Sequence, residues 1–224
     1  MNTTVLVLAA GCNWRGWTDE TPKQLALIAG EPLILRTLRQ LKERGYDEEV
    51  VVVTHNKAIQ AVVPRYFEPG VYYWRSETLV STKELWDERT IVVHGDTVFS
   101  SAAMDLIVAT QEPFMFIGIG NKVNAEAYVF TDQDLVLKAA KVAIAAAYAG
   151  EAGPKPKNVG QNTPYQWGHQ YEHWWFYHTL SGLSPALTYL FNPKIHRIIK
   201  NDSTLDVDSR HRYRVFLSKH KWAV

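Results

Sequence analysis

"VLVLAAGCNWRGWTDETPKQLALIAGEPLILRTLRQL", residues 5–41, decides how this chain is read. Residues 5–8 are apolar without alternation, which predicts a strand buried on both faces. Leu33, Ile34, Leu38 and Leu41 recur at helical spacing, and Gly45 offers a stop. Between strand and helix lies a loop holding Gly11, Arg15 and Lys23. In open parallel sheets, ligands sit where the carboxyl ends of strands meet such loops. Gly11 permits a sharp turn and a close backbone approach, and successive N–H groups there suit phosphate oxygens. Arg15 adds a planar donor fork, Lys23 a compact positive charge, and Pro22 stiffens the backbone before it.

The rest of the chain repeats the strand–helix rhythm. "EVVVVTH" (49–55), "GVYYWR" (70–75), "TIVVHGD" (90–96) and "FMFIGIG" (114–120) read as strands, with helices over 56–66 and 77–88. Alternation of this kind predicts an α/β protein: a single-domain, three-layer α/β/α arrangement with a largely parallel, Rossmann-like sheet. The rhythm is regular over residues 1–120 and loosens over 121–224. Within the second part, 126–132 reads as a strand and 135–150 as an alanine-rich helix. Residues 150–168, rich in Gly, Pro and Asn, read as a long loop, and loops of that length in a compact domain are usually mobile or functional. The end of the chain suggests a short strand, a turn and a basic helix.

Composition narrows the function. The 224 residues are 46% hydrophobic and carry a formal charge of only +1, so no global basic field recruits nucleic acid. A lone cysteine, Cys12, excludes an internal disulfide and fits a reducing compartment. The apolar run to Ala10 is too short to span a membrane and no basic segment precedes it, so a cytoplasmic protein without a membrane partner is expected. The phosphate-loop patterns G-x-x-x-x-G-K-[ST] and G-x-G-x-x-G are both missing from the opening.

The opening instead resembles the signature of the GT-A-like nucleotidyltransferase family, which includes sugar-1-phosphate nucleotidylyltransferases and phosphocholine cytidylyltransferases. Leu8-Ala9-Ala10-Gly11, then Arg15, then Pro22-Lys23-Gln24-Leu25, then Ile28-Ala29-Gly30-Glu31-Pro32-Leu33 follow that family's order. Asn13 stands where the family usually has its second glycine, and asparagine tolerates left-handed backbone better than most residues. The resemblance implies a GT-A-like fold and a nucleotidyltransferase activity with Mg²⁺, with residues 1–120 as the nucleotide-binding part and 121–224 as the acceptor side and C-terminal metal-ligand segment. Leu8, Ala9, Ala10, Gly11, Cys12 and Asn13 would cradle a nucleoside triphosphate, while Arg15 and Lys23 would act on charge at the transferred phosphate.

Phosphate chemistry of this kind needs a hard cation and carboxylate oxygens. Asp96 follows a predicted strand on the same sheet edge as the opening loop, and the resemblance makes it a metal ligand. The late "LDVDSRHRY" resembles a second family motif, and Asp208 is taken as the second ligand; Arg212 replaces a later acidic position. Ser81 and Thr82 are candidates near the base. In "YQWGHQYEHWWFYH" (165–178), Trp167, Tyr171, Trp174 and Trp175 could face a phosphorylated small-molecule acceptor, or form core or interface. His169, His173 and His178 match no zinc spacing.

Two rival readings stand beside this one. A glycosyltransferase of related fold would use Asp-x-Asp, a form that "DVD" (206–208) has. A non-catalytic nucleic-acid binder would use Arg210, Arg212, Arg214, Lys219 and Lys221, although basic helices are more often solvated faces.

Overall fold

The computed structural model describes residues 1–10, 17–70, 74–119, 125–149, 176–177, 179–180, 196–199, 204–207 and 210–220. β1 (Thr3–Leu8) leads, after the opening loop, to a small hairpin of β2 (Leu27–Ile28) and β3 (Glu31–Pro32). Ala29 and Gly30 turn that hairpin with φ of 53° and 81°, the left-handed pair of a two-residue hairpin turn. Then follow α1 (Leu33–Lys42), β4 (Val50–Val53), α2 (Lys57–Gln60), β5 (Tyr66–Phe67) and α3 (Arg75–Ser81). β6 (Arg89–His94), β7 (Thr97–Val98), α4 (Ser101–Ala109), β8 (Phe114–Ile119) and β9 (Ala125–Phe130) come next. The chain continues through α5 (Gln133–Tyr148), β10 (His196–Ile199), β11 (Leu205–Asp206) and α6 (Arg210–His220).

Two units organise these elements. The first comprises Met1–Glu68, Asp87–Thr131 and His196–Val224. Its seven-stranded sheet runs β10-β8-β9-β6-β1-β4-β5. The sheet is mostly parallel, and β9 alone among its described strands runs against both neighbours. Alternate residues such as Val5, Val7, Ile91, Val93 and Met115 pack with Ile34 and Leu41 of α1, Ile59 of α2, and Met104 and Ile107 of α4. Leu6, Val92 and Phe116, which point the other way, are also buried, as the unbroken apolar run of β1 requires.

The chain goes out from β1 to β4 and β5, then returns to β6 on the opposite flank of β1. Sheets whose strand order reverses in this way bind ligands at the carboxyl ends of the strands that flank the reversal, here β1 and β6. Arg89, at the other end of β6, is buried, and its guanidinium donates to the carbonyls of Val108 and Thr110 at the end of α4. It therefore caps carbonyls that α4 cannot satisfy itself.

The second unit comprises Pro69–Trp86 and Asp132–Ile195. Its α5 buries Val136, Ala139, Ala140 and Ala143, an alanine face that permits close helix approach. The Tyr148 hydroxyl donates to Glu77 of α3 at 2.6 Å, and its ring meets Trp74 edge-on.

Several boundaries differ from the sequence expectation. Residues 56–66 hold only one helical turn, because Pro64 disfavours helix at Val63, and Tyr66–Phe67 then pair with β4 as an edge strand. Arg75, expected to end a strand, begins α3. β10 was not predicted at all; it is a short edge strand with polar residues in it. The expected loop over 150–168 lies outside the described residues.

Candidate active site

β1 ends at this edge of the sheet, and its last residues are held by hydrogen bonds to its neighbours. The Ala9 N–H donates to the Val53 carbonyl at 2.9 Å, and the Thr54 hydroxyl donates to the Ala9 carbonyl at 3.2 Å. Gly95 N–H donates to the Leu8 carbonyl at 2.9 Å. Leu8 and Ala9 thus frame the loop, and the Ala9 N–H is already committed to the sheet. Gly95 is a glycine for a packing reason. A Cβ there would lie 3.1 Å from Ile34 Cδ1 and 3.2 Å from both Ala9 Cβ and the Leu8 carbonyl oxygen. The Gly-Asp pair after β6 therefore lets the chain pass tightly under the start of the opening loop.

Asp96 follows directly, and its carboxylate is ion-paired with the Lys23 ammonium. Lys23 begins a 3-10 turn, Lys23–Leu25, positioned by Pro22 in extended backbone. Lys23 is only 6% exposed. Asp96 is the reason: a lysine enters a protein interior when a carboxylate accompanies it.

The late motif arrives at the same place. β11 pairs antiparallel with β7, Asp206 lying opposite Thr97 and Leu205 opposite Val98. The Val207 N–H then donates to the Asp96 carbonyl at 2.9 Å. The Thr204 hydroxyl, on the near side of β11, accepts from Ser100 N–H at 2.9 Å. Two segments far apart in sequence, each read as carrying a metal carboxylate, are therefore hydrogen-bonded neighbours. Asp208 itself lies outside the described residues, as do Gly11, Cys12, Asn13 and Arg15.

The C-terminal helix fastens this arrangement to the opening loop. Trp17, Ala26, Ile28, Leu33, Val98 and Val207 form one buried cluster, with Tyr213 and Leu217 of α6 packed against it. The Tyr213 hydroxyl donates to the Leu27 carbonyl at 2.5 Å, and the Tyr213 ring meets Trp17 edge-on at 5.8 Å. From the other flank, Asn56 Nδ2 donates to the Asp19 carbonyl at 2.9 Å while its Oδ1 caps α2. Sequence reading missed Trp17, Asn56 and Tyr213. The one available signal was Asn56 itself, a helix-capping residue at the end of β4.

In the second unit, the two hydroxyls proposed for the base are occupied. Ser81 Oγ donates to the Thr78 carbonyl and Thr82 Oγ1 to the Leu79 carbonyl, both at 2.7 Å; Trp86 Nε1 also donates to Thr82 Oγ1. Trp167, Tyr171, Trp174 and Trp175 lie outside the described residues. Two aromatics of the same run, Phe176 and Tyr177, are buried. Among the described residues, no group of three or more His, Cys, Asp or Glu is placed to hold a metal ion. No described helix is long and apolar enough to cross a membrane.

Similarity to known proteins agrees with this geometry. CTP:phosphocholine cytidylyltransferase from Streptococcus pneumoniae superposes with a TM-score of 0.60 at 16% identity, covering 98% of this chain and 99% of that one. This chain has the nucleotidyltransferase fold. The same nucleotidyltransferase fold is shared with a Bacillus anthracis protein provisionally assigned as a glucose-1-phosphate thymidylyltransferase and solved with sucrose. There the TM-score is 0.55 at 12% identity, over 97% of this chain and 95% of that one. In sequence, a UTP–glucose-1-phosphate uridylyltransferase from Haloferax volcanii is 25% identical over 123 residues, half of each chain. The chain thus spans about half the length of the curated relative it matches. No family model matches the chain.

Proposed function

We propose that this protein is a nucleotidylyltransferase that joins a nucleoside triphosphate to a phosphorylated small molecule. A sugar 1-phosphate or a phosphocholine-like compound is the acceptor class, in keeping with the substrates named for the similar proteins. The observation that carries the reading is the meeting of Lys23, Asp96 and the 205–207 segment at the carboxyl ends of β1 and β6. A phosphate oxygen of the acceptor attacks the α-phosphorus, the bond from that phosphorus to the bridging oxygen breaks, and pyrophosphate leaves.

Lys23 carries its ammonium in a buried place beside Asp96, positioned to turn from that carboxylate to the transferred phosphate. Arg15 serves the same charge from within the loop. As Lys23 turns its donors to phosphate oxygens, the Asp96 carboxylate becomes available as a hard oxygen donor. Asp96 and Asp208 are the residues that would hold Mg²⁺, which is typically bound by one or two carboxylates together with substrate phosphates. When bound, the cation supplies neutralising charge to the phosphates. Gly11 to Asn13 cradle the triphosphate. Trp167, Tyr171, Trp174 and Trp175 are the residues assigned to the acceptor, and the lone Cys12 fits a cytoplasmic place.

A panel of four nucleoside triphosphates against sugar 1-phosphates and phosphocholine, with both pyrophosphate and the joined product identified, tests the reading. Acceptor-dependent pyrophosphate release supports it. Consumption of a sugar nucleotide with release of a nucleoside diphosphate instead, and no pyrophosphate from any pair, makes the protein a glycosyltransferase.

A further inference from the structure

Arg210 opens α6, and its guanidinium is oriented without being neutralised. Its carbon lies 5.2 Å from the centroid of the Trp17 ring, and an NH2 nitrogen donates to Thr21 Oγ1 at 3.1 Å. Both partners are uncharged, and Arg210 makes no ion pair among the described residues. The indole under it is itself unsatisfied: Trp17 Nε1 is buried with no acceptor among the described residues. Two donors of unmet capacity, Arg210 on α6 and Trp17 on the loop that carries Lys23, therefore sit together. A buried donor without an acceptor usually marks a bound water, ion or ligand group. An aromatic face and a hydroxyl fix the plane of a guanidinium while leaving its charge uncompensated.

The position of Arg210 in sequence adds to this. Thr21 precedes Lys23 by two residues, and Arg210 follows Asp208 by two. The contact from Arg210 to Thr21 thus joins the two segments that the proposed function assigns to phosphate and metal. A planar fork held there matches the bidentate oxygen pair of a phosphate.

We propose that Arg210 binds a phosphate group of a substrate, a role that rests on the nucleotidylyl-transfer reading. The triphosphate and the acceptor phosphate present the same chemistry to a guanidinium, so the experiment separates them.

The test measures binding of two probes by calorimetry with Mg²⁺ present: inorganic tripolyphosphate for the nucleotide end, phosphocholine for the acceptor end. Wild type is compared with Arg210→Gln, Arg210→Lys and Thr21→Val. Arg210→Gln keeps a donor for Thr21 but removes the charge. It is expected to weaken one of the two probes about tenfold, as loss of a charge-assisted contact does. Arg210→Lys keeps the charge without the fork and falls between. Thr21→Val loosens the anchor but keeps the charged fork, and is expected to weaken the same probe less than Arg210→Gln does. The probe that weakens identifies the phosphate. Wild-type affinity of Arg210→Gln for both probes overturns the assignment, and so does an equal loss in Thr21→Val, which makes Arg210 a structural anchor. Binding of neither probe by wild type removes the phosphate-transfer reading itself, and this assignment with it.

Discussion

Lys23 and Asp96 are ion-paired in the protein interior, with side chains 8% and 17% exposed. One belongs to the turn that closes the opening loop, the other to the first residues after β6. The pair therefore locks the loop to the sheet edge as well as assembling the proposed chemistry.

Both roles can be separated thermodynamically. Lys23→Met removes the ammonium beside the Asp96 carboxylate, and Asp96→Asn removes the charge that accompanies the buried Lys23 ammonium. Each single change is expected to cost about 3 kcal/mol, near the lower end for breaking a buried pair. The double variant is expected to recover about 1–3 kcal/mol of that loss as coupling. Denaturant unfolding of the four proteins checks it, and strict additivity would show that the two side chains do not stabilise one another.

Gly95→Ala tests the tight passage beneath the loop. The added methyl meets a backbone oxygen and two side-chain carbons at 3.1–3.2 Å, and the oxygen cannot move aside without disturbing β1. A loss of about 1–3 kcal/mol is expected, as for other overpacked sites. Turnover should fall as well, since Asp96 is the next residue. Native melting and native activity in this variant would mean that the contacts around Gly95 yield freely.

Asn56→Ala removes a helix cap and the tether on Asp19 together. Loss of the cap costs about 1 kcal/mol. Faster hydrogen exchange at Thr18 and Thr21, beyond that expected from the lower stability, is the expected signature of the lost tether. Unchanged exchange there assigns Asn56 to α2 alone.

Tyr213 gives the loop an alkaline limit. Burial pushes its phenol above the ordinary value of 10.0. The folded state thus holds the phenolic proton more tightly than the unfolded chain. Its stabilisation is complete below the unfolded-state value and is lost as pH rises through the raised one. The phenolate also cannot donate to the Leu27 carbonyl. Wild type should exceed Tyr213→Phe in stability by a constant margin from neutral pH to pH 9, and that margin should shrink at higher pH. Melting curves against pH measure it; a margin that widens in alkali contradicts the assignment.

Much of this site could be read from sequence because its parts lie at strand ends. The apolar runs of β1 and β6 located Lys23 and Asp96 on one edge, and "LDVDS" was recognisable as a strand and turn. What periodicity cannot show is which loops touch. The pairing of β11 with β7 depends on two residues from each, far too few for a pattern. Trp17, Arg210 and Tyr213 meet through tertiary contacts that no local spacing announces. The burial of Lys23 was hidden for the same reason, since a lysine beside a proline in a polar loop reads as solvated until its carboxylate is found. Ser81 and Thr82 show the converse: their hydroxyls satisfy carbonyls at the end of α3, a local use that composition alone does not distinguish from ligand binding.

The most direct measurement is the dependence of pyrophosphate release on Mg²⁺ concentration in wild type and Asp96→Asn, at a temperature where melting shows both folded. The account predicts acceptor-dependent release by wild type. In the variant, the maximal rate should be lower by about 10²-fold, and half-saturation should need more Mg²⁺. A folded Asp96→Asn protein that matches wild type in both rate and Mg²⁺ requirement would contradict it.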